Sequence, residues 1–173
     1  MAEVSNSKLL DNTGITLGRD ACVVIVRTEW NAAIVDELEK GCLKVLHRQN
    51  AKCITVLNVP GAVEIPFAIK KYWDLNKYKA VRPQAFIALG CVLKGDTPHF
   101  EYVCSSVTDG ITQLNLTLPI PVIFGVLTVN NQQQADERIG GKHGHKGEEA
   151  AVTALKMIAL VQSMSLRKQA EKP

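Results

Sequence analysis

The chain has 173 residues, 46% hydrophobic, 21% charged and 5% aromatic, and its 20 Lys and Arg against 17 Asp and Glu leave a net charge of +3. That length suits one domain able to bury roughly two thirds of its unfolded surface, so it needs neither disulfide nor metal to fold. The composition excludes disorder, a fibrous repeat and a disulfide scaffold, and the weak positive charge argues against a nucleic-acid binder.

In chain order, residues 1–12 are mostly polar and read as a frayed terminus without a signal peptide, and residues 167–173 read as a second frayed end. A single domain is therefore expected over 13–166, in the cytoplasm. The short run Gly14–Leu17 is a possible additional strand. Four apolar runs follow: Ala21–Arg27, Cys53–Val59, Ala85–Leu93 and Val122–Val129. None alternates polar with apolar, so each reads as a strand buried on both faces of a parallel sheet. Helical spacing of apolar residues separates them, over 31–49, 64–76, 101–118 and 146–165. The last helix carries two stripes, one of Ala151, Ala154, Leu155, Ile158 and Val161 and one of Ala150, Met157, Leu160 and Met164. A helix apolar on two sides packs against two things, and with few charges to cover the chain one of them is expected to be another copy. Strands alternating with helices predict an α/β fold with right-handed crossovers. No apolar run reaches the ~18 residues of a membrane helix.

The five cysteines lie at 22, 42, 53, 91 and 104, with no C-x-x-C pair and no zinc spacing. They read as buried reduced thiols in a reducing compartment.

Ligands of open α/β sheets bind at the carboxyl ends of the strands. The residues there are Arg27-Thr28-Glu29-Trp30-Asn31, then Pro60-Gly61-Ala62-Val63-Glu64, then Lys94-Gly95-Asp96-Thr97-Pro98-His99, then Thr128-Val129-Asn130-Asn131. The third turn leads into a helix near Phe100, whose N-terminal N–H groups suit an anion, with Gly95 permitting close approach. Asp96 or Thr97 reads equally well as a plain helix cap. His99 is placed for proton transfer at neutral pH, or is simply a residue at a helix start. Trp30 offers a stacking surface or a half-buried anchor. Glu64 could accept from ligand hydroxyls or serve as a first-turn acid. Arg138–Lys146 is a basic, glycine-rich linker, either a solvated loop or a flexible arm reaching for phosphate. His143 and His145 lack the partners of a metal site. No Walker or Rossmann glycine pattern is present.

Taken together, RTEWN (27–31), VPGAVEIPFA (59–68), LGCVLKGDTPHFEYV (89–103), IPVIFGVLT (120–128) and ADERIGGKHGHKG (135–147) resemble the lumazine synthase family, in the family's order and over nearly the whole chain outside the termini. The resemblance implies a flavodoxin-like three-layer α/β/α sandwich with a four-stranded parallel sheet. It implies condensation of 5-amino-6-(D-ribitylamino)uracil with 3,4-dihydroxy-2-butanone 4-phosphate, in riboflavin biosynthesis, without metal or redox cofactor. By resemblance, Trp30 stacks on the pyrimidine with Asn31 beside it, and Ala62, Val63 and Glu64 hold the ribityl chain. Val92, Leu93 and Lys94 line the pyrimidine pocket. Gly95, Asp96 and Thr97 form the phosphate turn, and His99 transfers a proton. Phe124 and Arg138 come from an adjacent subunit, Arg138 gripping phosphate with Lys146 near the same pocket. Asp96 stands where some members carry an uncharged residue, so backbone contact alone is expected there, and His145 stands where Asn is common.

Family members form pentamers, some of which assemble as twelve into a hollow shell. The short linker here, without insertion, points to the 60-mer, with riboflavin synthase a possible passenger. The rival readings are a non-catalytic flavin- or lumazine-binding relative, a flavodoxin-like electron carrier and a purely shell-forming protein. Thr97, His99, Arg138 and Lys146 together argue for the enzyme, and RTEWN is unlike an FMN phosphate loop.

Overall fold

The computed structural model describes residues 8, 9 and 21–170. Expectations for the remaining terminal residues, including the strand at 14–17, lie outside them. The elements in order are β1 (Cys22–Thr28), α1 (Ala32–Arg48), β2 (Cys53–Val59), a 3-10 turn (Ala62–Glu64), α2 (Ile65–Asn76), β3 (Ala85–Leu93), α3 (His99–Thr117), β4 (Val122–Val129), α4 (Gln132–Asp136), β5 (Ile139–Gly141), β6 (Gly144–His145) and α5 (Lys146–Ala170).

The four apolar runs form one parallel sheet in the order β2-β1-β3-β4. Its two faces carry separate cores. Val23, Ile25, Ile87 and Leu89 pack with Leu38 and Leu46 of α1 and with Ala151, Ala154, Leu155 and Ile158 of α5. Val24, Val26, Phe86 and Ala88 pack with Ile65, Ile69 and Trp73 of α2 and Val107, Ile111 and Leu114 of α3. Successive strand residues thus serve opposite faces, which is why the runs show no polar alternation. The result is the expected α/β/α sandwich of flavodoxin-like type. β2 departs in degree: its first five residues are only half-buried, because it is an edge strand.

α5 is the one helix among the described residues long and apolar enough to cross a membrane by length and composition. Its first stripe is spent on the sheet and α1, with Ala151, Ala154 and Leu155 almost fully buried. Of the second stripe, Ala150 is buried, whereas Leu160 and Met164 remain exposed. The helix begins close against α1: a Cβ on Gly147 would lie 2.0 Å from the Leu38 carbonyl oxygen, so only glycine permits the crossing.

Two expectations are overturned. Cys22 and Cys53 are register partners on β1 and β2, with Cα atoms 4.6 Å apart, and are joined as a disulfide. Thirty-one residues separate them in sequence, so only the strand pairing brings them together. Cys42, Cys91 and Cys104 are free thiols as expected. The segment after Arg138 is not a solvated loop. It folds as the β5–β6 hairpin, which Gly140 (φ 116°) and Gly144 (φ 82°) make possible by taking a backbone conformation side chains disfavour.

Candidate functional site

The strand ends are stitched together by backbone hydrogen bonds and one side-chain amide. The Glu29 N–H donates to the Val59 carbonyl at 2.9 Å and the Trp30 N–H to the Pro60 carbonyl at 3.3 Å, tying the first turn to the second. Asn31 adopts a left-handed conformation (φ 57°), which Asn tolerates better than most residues, and its Nδ2 donates to the Cys91 carbonyl at 2.9 Å. That bond ties the first turn to β3. The Lys94 N–H donates to the Val129 carbonyl at 2.9 Å, joining the third turn to the fourth.

These links frame a cavity of about 500 Å³. One wall is Thr28, Trp30 and Asn31, a second is Gly61 to Glu64, and a third is Cys91 to Leu93, with His99 and Val103 of α3 closing the side. The Glu64 carboxylate and the Trp30 indole both approach Gly61, where a Cβ would meet them at 3.0 and 3.5 Å. A flat aromatic surface and an acceptor therefore flank one opening. Trp30 is 73% exposed, an unusual state for the largest apolar side chain unless something covers it.

Of the residues singled out from sequence, Trp30, Asn31, Ala62, Val63, Glu64, Val92, Leu93 and His99 line this cavity. His99 opens α3, exposed and facing it. Lys94 does not line it. Its ammonium lies 5.7 Å over the Phe100 ring and 3.4 Å from Glu101, so the side chain follows α3. Gly95, Asp96 and Thr97 are exposed on the turn beside it, and the space a Cβ would take at Gly95 is open. No side chain caps α3, whose cap residue is Pro98, so neither Asp96 nor Thr97 is the helix cap that local sequence allowed.

The other three residues lie elsewhere on the chain. Phe124 and Lys146 line a second cavity, of about 350 Å³, along the outer edge of β4. Arg138 is 9% exposed. Its Nη1 donates to the His143 carbonyl and its Nη2 to Glu149 Oε2 at 3.0 Å. It is thus a fixed, inward-facing cation, not a flexible arm, because the hairpin and a buried carboxylate hold it.

Sequence reasoning missed four contributors. Thr28 is 1% exposed and lines the cavity, its hydroxyl 3.4 Å from the Trp30 carbonyl. Val103 belongs to the α3 stripe, yet it borders the cavity. Cys91 read as a core thiol. It does sit on the cavity wall, but burial pushes the thiol up to about 11, so it stays neutral and inert toward an electrophilic ligand at neutral pH. Glu149, in the first turn of α5, was not singled out, and nothing in its local sequence marks it as the partner of Arg138.

The arrangement offers a stacking ring, a hydroxyl acceptor, a neutral apolar wall, an open helix N-terminus and a histidine within one cleft. That suits a flat heterocycle with a polyol chain alongside an anionic partner. Residues 20–162 match the family model described as 6,7-dimethyl-8-ribityllumazine synthase. The chain is 48% identical over 152 residues to the 6,7-dimethyl-8-ribityllumazine synthase of Porphyromonas gingivalis, covering 87% of this chain and 91% of that one. It is 47% identical over 143 residues to the enzyme of the same name from Bacteroides fragilis, covering 82% and 96%. To that of Flavobacterium johnsoniae it is 40% identical over 166 residues, covering 95% and 85%.

Proposed function

The chain belongs to the 6,7-dimethyl-8-ribityllumazine synthase family, and on that premise we propose how its cleft carries out the condensation. The enzyme is a transferase of riboflavin biosynthesis. The substrates are 5-amino-6-(D-ribitylamino)uracil and 3,4-dihydroxy-2-butanone 4-phosphate, and the products are the lumazine, orthophosphate and water. The observation that supports the assignment of the cleft is the grouping of Trp30, Asn31, Ala62 to Glu64, Val92, Leu93 and His99 around one cavity at the strand ends.

In this reading Trp30 stacks on the pyrimidine, Glu64 accepts from ribityl hydroxyls, and Val92 and Leu93 pack against the ring edge. The 5-amino group attacks the butanone carbonyl and, with loss of water, gives an imine. Phosphate leaves, the ring closes and a second water departs. His99 moves protons during these steps. The main task is holding two partners in reacting geometry, so proximity dominates and acid–base help is secondary. Gly95 to Thr97 receive the phosphate through backbone N–H groups, with the exposed Asp96 carboxylate turned to solvent.

Phe124, Arg138 and Lys146 face away from this cavity within one chain, so they act in the cleft of an adjacent subunit. The working unit is then a ring, a pentamer, and the compact hairpin between Arg138 and Lys146 favours assembly of pentamers into a 60-mer. The single domain is assigned to 13–166 and to the cytoplasm. The direct test is incubation with both substrates, following lumazine fluorescence and released phosphate. Release of neither would overturn the assignment, and ligand binding without turnover would favour a non-catalytic relative.

A further inference from the structure

Glu149 is a buried carboxylate that the reaction, as derived above, does not use. Its side chain is 11% exposed, one turn into α5. Oε2 accepts from Arg138 Nη2 at 3.0 Å and lies 3.6 Å from Lys146 Nζ. Two cations therefore converge on a single oxygen. The other oxygen, Oε1, is buried with no hydrogen-bond partner among the described residues. A carboxylate left half-satisfied inside a protein is costly unless its charge is matched. Here one negative charge faces two positive ones, so the cluster keeps a net positive charge. Glu149 and Lys146 also line the cavity along β4, and Arg138 reaches Glu149 through its Nη2.

We propose that Glu149 is a positioning residue for the phosphate-bearing substrate: its carboxylate holds the Arg138 guanidinium and the Lys146 ammonium side by side, in the orientation in which they receive phosphate. This rests on the reading of Arg138 and Lys146 as phosphate ligands. The physical reason is repulsion. Without the shared carboxylate two like charges in a poorly solvated corner separate, and Arg138 keeps only the His143 carbonyl as an anchor. With it, the guanidinium plane is set by two acceptors on different elements, β6's approach and α5. The excess positive charge is what a phosphate then neutralises.

The test is steady-state kinetics on the full-length enzyme, with KM measured separately for each substrate and thermal stability measured alongside. Glu149→Gln keeps the size of the side chain and one acceptor but removes the charge. It is expected to raise KM for the butanone phosphate about tenfold, the scale of one charge-assisted hydrogen bond, while leaving KM for the pyrimidine unchanged. Glu149→Asp should recover part of that loss. Arg138→Met should raise the same KM, and the double variant Arg138→Met/Glu149→Gln should lose less than the two single losses combined, since part of the carboxylate's effect passes through the arginine. The proposal is overturned if Glu149→Gln leaves the phosphate-substrate KM unchanged where Arg138→Met raises it. It is equally overturned if both KM values rise together with a lowered melting temperature, or if the double variant shows additive losses. If Arg138→Met itself leaves that KM unchanged, the phosphate reading of Arg138 fails first. Should Glu149→Gln not fold, Glu149→Asp carries the test, with a severalfold rise in the phosphate-substrate KM alone as the expected result and no rise overturning the proposal.

Discussion

Trp30 and His99 both line one cleft and are expected to fail in different ways when truncated. Trp30 is largely exposed, so its indole contributes little to the core. Trp30→Ala should leave the melting temperature unchanged and raise KM for the pyrimidine substrate roughly tenfold, the scale of one lost aromatic stack. A shift in the phosphate-substrate KM instead would place the indole on the wrong partner. His99 heads α3, and on the proposed reading it contributes proton transfer and not geometry. His99→Ala should therefore slow single turnover about a hundredfold, the low end of what a positioned acid–base group supplies, without abolishing product. An unchanged single-turnover rate would remove His99 from the chemistry. Both residues were legible in the sequence because both follow an apolar run. Thr28 and Cys91 were not, because whether a residue at the end of a strand faces a cleft or a core depends on its register with the neighbouring strands.

At the scale of elements, the four runs and four long helices could be read from periodicity, since burial on both faces removes polar residues from a strand and one-sided burial stripes a helix. The ends shifted by a few residues: α3 starts at His99 and not near Glu101, and α5 runs on to Ala170. The five-residue α4 and the β5–β6 hairpin were not foreseen, being too short to show a period. Cross-strand pairing was also invisible. The Cys22–Cys53 bond closes β1 and α1 into one loop that ends at the first residue of β2, and that loop carries the first turn of the cleft. A loop of this length is worth about 3.7 kcal/mol in the chain-entropy view. Adding a reductant should therefore lower the unfolding free energy in urea by about that amount, and Cys53→Ser should show the same stability with or without reductant. Equal stability of the original chain under both conditions would mean that the link contributes nothing.

For the whole molecule, the question is how many chains make one site. Trp30, Leu160 and Met164 are exposed, and Phe124, Lys146 and Glu149, the partner of Arg138, line the cavity along β4 and not the cleft. If the cleft of one chain is completed by the β4 edge of the next, impaired variants should complement each other. Refolding His99→Ala together with Arg138→Met should restore activity beyond the sum of the two separate preparations, because some interfaces then pair an intact His99 with an intact Arg138. No recovery on mixing would confine the site to a single chain. Sedimentation should show a particle of about sixty chains, as the short hairpin linker suggests by resemblance, and a particle near five chains would leave the ring and remove the shell.

The sequence by itself determined the layering, the positions of the four turns and the family, because each is written in local spacing: apolar runs, helical stripes and the polar residues that interrupt them. Only the tertiary structure decided which residues meet. The pairing of Cys22 with Cys53, the turning of Arg138 inward onto Glu149 and the separation of Phe124 and Lys146 from the cleft all depend on strand order and helix crossing. Those are set by packing the two faces of one sheet at once, a balance of contacts between residues far apart in the chain that no local window contains.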